Sequence, residues 1–199
     1  MNFEILVATT NAHKLQEIRE ILSPHHITVY GLNDLNIKSE EVEENGETYF
    51  DNALIKAEAL QNKTEMPIIA DDTGLEILSM NNEPGLFTAR YASNLGGYEN
   101  AFKDIFTRLE GMDRSATFIC DIALVNVEEH PLKFEGRVEG SIATEIRGND
   151  GFGYDPIFIV KEANKTYAEM SREEKNRLSH RGKALLKLIT YLKINNLIN

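Results

Sequence analysis

A chain of 199 residues, 42% of them hydrophobic, is long enough to bury a real core and to fold unaided. A single cysteine, Cys120, excludes a disulfide scaffold, the lack of a long apolar run excludes a membrane span, and without a signal-peptide pattern the expected setting is reducing and cytoplasmic. The formal net charge of −11 argues against nucleic acid or an anionic membrane as a partner.

FEILVAT, close to the first residue, reads as a buried strand. After Asn11, Leu15, Ile18, Ile21 and Leu22 share one helical face, and Pro24 stops the helix. ITVYG is a second short strand. SEEVEENGE then packs five Glu into Ser39 to Glu47, either a solvated face or a segment that attracts a cation. TYFDNALIKAEAL repeats Tyr49, Ala53, Ala57 and Leu60 at helical spacing, and MPIIA is a third strand that runs into Asp71 and Asp72 before a Thr-Gly pair read as a turn. Past a turn at Asn81, Asn82 and Pro84, a helix carries Phe102, Ile105, Phe106 and Leu109 and closes on Gly111. SATFICDIALVNV and LKFEGRV alternate like long strands, which predicts antiparallel pairing in the later half. Ser171 with Glu174 forms a capping box ahead of a C-terminal helix pair ending in KALLKLITYLK. The expected fold class is α/β, with a mixed β-sheet flanked by helices.

Four stretches carry chemistry. In TTNAHK, Thr9 to Lys14, a strand ends in small polar residues that open a helix; such an end either cradles phosphate, with Lys14 adding charge, or is simply capped. The pattern is not a P-loop. Within GNDGFGYDPIF, glycines beside Phe152 suit a flat ligand stacking on an exposed ring, or a tight turn with the ring buried, and no helix follows to make a dinucleotide fingerprint. EEKNRLSHRGKAL crowds Lys175, Arg177, His180, Arg181 and Lys183 at a helix junction, where His180 and Arg181 meet the positive end of a helix that disfavours cations unless an anion or polar ligand compensates. Nine of the 21 Lys and Arg residues lie between Lys161 and Lys193. Finally, neighbouring residues on a strand point to opposite sides, so only one of Asp71 and Asp72 can face a metal and water; the other turns toward protein groups.

Taken together, TTNAHKLQEI, ENGETYFDNALIKA, ADDTGLEI, PGLFTARYA, GFGYDPIF and SHRGKAL, in this order, resemble the inosine/xanthosine triphosphate pyrophosphatase family. The resemblance implies a single nucleotide pyrophosphatase domain over residues 1–199, with two lobes around a central nucleotide-binding cleft. It implies Mg²⁺-dependent hydrolysis of ITP, dITP and XTP to monophosphate and pyrophosphate, which cleanses the nucleotide pool, by a homodimer. Thr10 stands where the family commonly has Gly, and Asp51 where it has Glu. On matching positions, Thr9, Thr10, Asn11, Ala12, His13 and Lys14 would hold the triphosphate, Glu43 and Asp72 the metal, and Asp72 would accept the proton. Thr73, Phe152, Gly153, Tyr154, Asp155, Lys175, His180 and Arg181 would contact the nucleotide, with Phe152 as the stacking ring. Hypoxanthine and xanthine present an O6 acceptor where adenine presents an amino donor, so a donor from Arg181 or His180 would favour the former.

Two other readings use the same residues. An aspartyl phosphatase of the haloacid dehalogenase type needs two carboxylates on one face, two residues apart, which adjacent aspartates do not provide. A non-catalytic nucleotide-binding module would gain nothing from acidic residues opposite a phosphate cradle unless a metal joined them.

Overall fold

Ile5, Leu6 and Val7 are consecutive and all fully buried in β1 (Phe3–Val7), which requires both faces of the strand to be covered. A computed structural model, describing residues 3–38 and 42–199, shows what covers them. β1 pairs in parallel with β2 (Ile27–Gly31), Phe3 opposite Ile27, and with β3 (Ile68–Ile77), Leu6 opposite Ile68. Alternation then sorts the side chains. Ile5, Val7 and Ile69 join Ile18 and Leu22 of α1 (Ala12–Leu22) and Leu185 and Leu188 of α6 (His180–Ile194) in one core. Leu6, Ile68 and Ala70 join Ala53 and Ala57 of α2 (Tyr49–Glu58) in another.

The strands hydrogen-bond in the order β2-β1-β3-β5-β6-β7-β8, with β5 at Ser115–Val125, β6 at Leu132–Ile142, β7 at Phe158–Val160, β8 at Lys165–Thr166, and β4 (Pro84–Gly85) pairing with β3. Parallel pairs at the β1 end and antiparallel pairs β6-β7 and β7-β8 make the sheet mixed. The remaining helices are α3 (Thr88–Asn94), α4 (Tyr98–Arg108) and α5 (Arg172–Leu178). Contacts divide the chain into two compact units. The first holds the chain up to Asp72, Cys120–Gly136 and Arg181–Asn199; the second holds Thr73–Ile119 and Arg137–His180. The second has its own core, in which Leu75, Ile77, Phe102, Ile105, Phe118, Phe158 and Tyr167 are buried together.

The structure differs from the sequence expectation at three places. Thr73-Gly74 is not a turn: β3 runs through it, because Leu75 and Ile77 continue the alternation into the second unit's core. α3 buries only Thr88 and Ala92, too small an apolar stripe to register as a helix in sequence. Ser171 caps α5 through the Glu174 N–H, but the Glu174 carboxylate goes to Lys165 instead of closing the box. Of the acidic run, Ser39, Glu40 and Glu41 lie outside the described residues. No helix among the described residues is long and apolar enough to cross a membrane.

One close approach in the second unit is testable. A Cβ on Gly140 would lie 2.2 Å from the Ile159 carbonyl oxygen and 2.6 Å from the Phe158 ring. Gly140→Ala should therefore cost about 1–3 kcal/mol of stability through overpacking against backbone that cannot yield, read as a lower urea midpoint; an unchanged midpoint would show that β6 and β7 are not this tightly apposed.

Candidate active site

Asp71 and Asp72 leave β3 toward different partners within the first unit. Asp71, whose side chain is 1% exposed, is 3.0 Å from the Lys14 ammonium and 2.9 Å from Arg181 Nη2, with Arg181 Nε donating to it at 3.3 Å. These donors and the more distant Cys120 thiol converge on Oδ2; Oδ1 is buried with no donor among the described residues. Burial by itself would raise the Asp71 carboxyl, but Lys14, Arg181 and Lys56 outweigh it and hold the group far below the ordinary carboxylate range. Arg181 Nη1 in turn donates to Glu17. The result is a buried chain of alternating charge, Lys14, Asp71, Arg181 and Glu17, linking α1, β3 and α6.

Asp72 faces α2. Its Oδ1 is 3.1 Å from the Lys56 ammonium and its Oδ2 is 3.5 Å from the Asn52 amide nitrogen. Lys56 also meets Glu44 at 3.1 Å, so one ammonium bridges two carboxylates. The loop bearing Glu44 is fastened to α2: Thr48 and Asp51 form a capping box, and the Gly46 N–H donates to Asn52 Oδ1 at 2.8 Å. Burial raises the Asp72 carboxyl despite the pull of Lys56 and Lys14, which makes it a better proton acceptor than an exposed aspartate. Burial opposes the charge on Lys56, but Asp72, Asp71 and Glu44 outweigh it and raise its pKa. Glu43 is exposed, and its carbonyl accepts the Asn45 N–H.

At the start of α1, Thr10, Asn11, Ala12 and His13 are exposed and Thr9 is half-buried. The expected phosphate cradle is partly capped from within. Asn11 Oδ1 accepts the His13 and Lys14 N–H groups at 3.0 and 3.1 Å, and Thr9 Oγ1 accepts the Asn11 N–H at 3.1 Å. A phosphate arriving there would compete with a side-chain cap that already satisfies two of the helix's leading donors.

In the second unit, Gly151 and Gly153 take positive φ, and Asp155 accepts the Phe152 N–H at 2.7 Å and the Lys175 ammonium at 2.6 Å. Lys175 sits 4.6 Å from the Phe152 ring centroid, a cation over an aromatic face. Phe152 and Gly153 are half-buried, as is Thr73 on β3. Tyr154 is buried, with its hydroxyl donating to the Thr88 carbonyl at 2.9 Å, and His180 is buried and stacked parallel on Phe118 at 4.4 Å.

These placements show what already engages several of the expected site residues. Arg181, 2% exposed, turns all three guanidinium nitrogens toward carboxylates of its own unit, where the sequence suggested donors aimed at a base; the compensating anion at the start of α6 is the protein's own. Tyr154 and Asp155 hold their loop in shape, through Thr88 and through Phe152 and Lys175, so their side chains are engaged before any nucleotide arrives. Sequence reasoning passed over Glu17, Glu44, Asn52 and Lys56. Asn52 and Lys56 carried a signal, being four apart on a helix and therefore on one face.

The Ham1 family model matches residues 5–191. The chain is 43% identical over 192 residues to the dITP/XTP pyrophosphatase of Thermoanaerobacter sp. (strain X514), covering 95% of this chain and 96% of that protein. It is 43% identical over 188 residues to the dITP/XTP pyrophosphatase of Bacillus subtilis (strain 168), covering 93% and 94%. A solved HAM1 protein from Coxiella burnetii superposes with a TM-score of 0.84 at 40% identity, covering 96% of this chain and 98% of that one.

The buried network predicts acid sensitivity. The Asp71 pKa is depressed in the folded state, so its contribution to stability is full above the unfolded carboxyl value, near 3.8, and is lost as pH falls below it. Asp71→Asn should cost roughly 3–5 kcal/mol at neutral pH by stranding Lys14 and Arg181, and should flatten the decline in stability below about pH 4. Urea unfolding of both proteins across pH 2–7 checks this; parallel curves would remove Asp71 from the acid response.

Proposed function

As the chain belongs to the Ham1 family, we propose that it hydrolyses purine nucleoside triphosphates with non-standard bases, ITP, dITP and XTP, to the nucleoside monophosphate and pyrophosphate, and so clears them from the nucleotide pool. The observation that carries this reading is the divergence of two adjacent aspartates. Asp71 is locked to Lys14 and Arg181, while Asp72 keeps a raised pKa and meets an ammonium and an amide on α2.

The donor chemistry suits a hard divalent cation, and we assign Mg²⁺ to Asp72 with Glu43 of the acidic loop. Mg²⁺ that also binds substrate phosphates usually takes only one or two protein carboxylates. When bound, the ion supplies neutralisation of phosphate charge. The residues do the rest. Asp72 orients a water and takes its proton as the oxygen attacks phosphorus; the bond between the α- and β-phosphoryl groups breaks, and pyrophosphate leaves. Lys14 and Lys56 donate to phosphate oxygens whose charge grows in the transition state. Phe152 offers its ring to the base, beside Lys175. A hydrogen-bond donor facing position 6 accepts oxo bases and leaves the adenine amino group without a partner, which orders ITP ahead of ATP. Residues 1–199 act as one nucleotide pyrophosphatase domain, in the cytoplasm, and the chain pairs as a homodimer; a monomeric mass by light scattering at working concentration would refute the pairing.

Incubation with ITP, dITP, XTP, ATP and GTP, with and without Mg²⁺, and separate detection of pyrophosphate and orthophosphate test the reaction. Pyrophosphate from the first three only, and only with Mg²⁺, is expected; orthophosphate as the sole product would indicate a phosphatase, and equal turnover of ATP would sink the base selection. Asp72→Asn should keep its thermal midpoint and lose roughly 10²–10⁴ in kcat as the proton acceptor disappears.

A further inference from the structure

The Lys56 ammonium is a cation already installed where the reading above needs another. It lies 3.1 Å from Asp72 Oδ1 and 3.1 Å from Glu44 Oε2. The site is closed on the aspartate side and open on the glutamate side, with side chains 11%, 18% and 36% exposed for Asp72, Lys56 and Glu44. Its geometry is set by more than the three charges. A Cβ on Gly46 would lie 2.5 Å from Asp51 Cβ and 2.9 Å from the Asn52 backbone nitrogen, so the loop beside Glu44 is pressed onto the first turns of α2, and Asn52 reaches both Gly46 and Asp72.

A Mg²⁺ ion needs carboxylate oxygens at about 2.0–2.1 Å. An ammonium in contact with the same Asp72 oxygen occupies that space and repels a divalent charge brought beside it. We propose that Lys56 is a resident counter-ion of the Asp72–Glu44 pair, which competes with the divalent cation for Asp72 until a triphosphate draws the ammonium onto its own oxygens. This rests on the proposed reading of the site as one that takes a metal and a triphosphate. It makes one side chain the link between the two ligands: nucleotide binding that moves Lys56 off Asp72 tightens the metal, and by reciprocity the metal tightens the nucleotide by the same factor. The metal then enters with the substrate and is not stored in the free protein.

The test is made without nucleotide, so it does not depend on which triphosphate is cleaved. Mn²⁺, a hard divalent stand-in, is titrated into the nucleotide-free protein and free ion is counted by electron paramagnetic resonance. Lys56→Met, which keeps the stem and removes the charge, should bind Mn²⁺ about tenfold more tightly than the natural protein, whereas Lys56→Arg, which keeps the charge, should bind no better. Thermal midpoints verify folding, and Lys56→Gln replaces the Met variant if that one does not fold. Equal or weaker Mn²⁺ binding by the neutral variant overturns the proposal, even if ITP proves to be the substrate. Tighter binding by a protein that does not cleave ITP would leave the counter-ion in place and refute the substrate.

Discussion

A carboxylate whose side chain is 1% exposed cannot stay charged without cations brought to it, and the first unit is arranged to bring them to Asp71. Lys14 comes from α1 and Arg181 from α6, and Glu17, one helical turn past Lys14, balances the arginine. Coulomb attraction of this kind is not by itself a source of large net stability, since desolvation of each ion offsets it. Its effect is on placement. Neither α1 nor α6 can slide along the sheet without parting Asp71 from its partners. The polar stretch that opens α1, Thr9 to Lys14, is thereby fixed relative to the end of β3.

The second constraint is the two-residue period of a strand. It puts Ile69 and Asp71 on the face that α1 and α6 cover, and Ala70 and Asp72 on the face that α2 covers. A single alternation therefore sorts both the apolar core and the two carboxylates. The outcome answers why two negative charges stand side by side: they are neighbours in sequence and occupy separate environments. Shifting the register of β3 by one residue would exchange their roles as well as invert its hydrophobic pattern.

Elements with a strong period were legible in the sequence: β1, α1, β2, α2, β5 and the helix pair at the C-terminal end each show an apolar repeat or a cap. α3 and the continuation of β3 through Gly74 were not, because small buried residues and a glycine carry little periodic signal and the tertiary environment decides. The partners of the charged groups were hidden. Arg181 meets Asp71 across 110 positions and Glu17 across 164, and no local pattern encodes such a pairing. What sequence did reveal was the cost: a cation at the start of a helix needs a compensating anion. That Asp71 and Glu17 stand beside it required three dimensions.

The same kind of pairing recurs at lysines that sit away from solvent in this acidic chain. Lys14, Lys56 and Lys175 each arrive with a carboxylate partner, Asp71, Asp72 with Glu44, and Asp155 respectively. Held by carboxylates, they stay in place, and an ammonium has three donors to share. On the proposed function, phosphate oxygens would divert N–H groups of Lys14 and Lys56 that are already held in position within the first unit. The energy of that exchange would be a difference between two ionic contacts, so affinity could be modest while the donors stay set for the moment when charge accumulates on the phosphoryl oxygens.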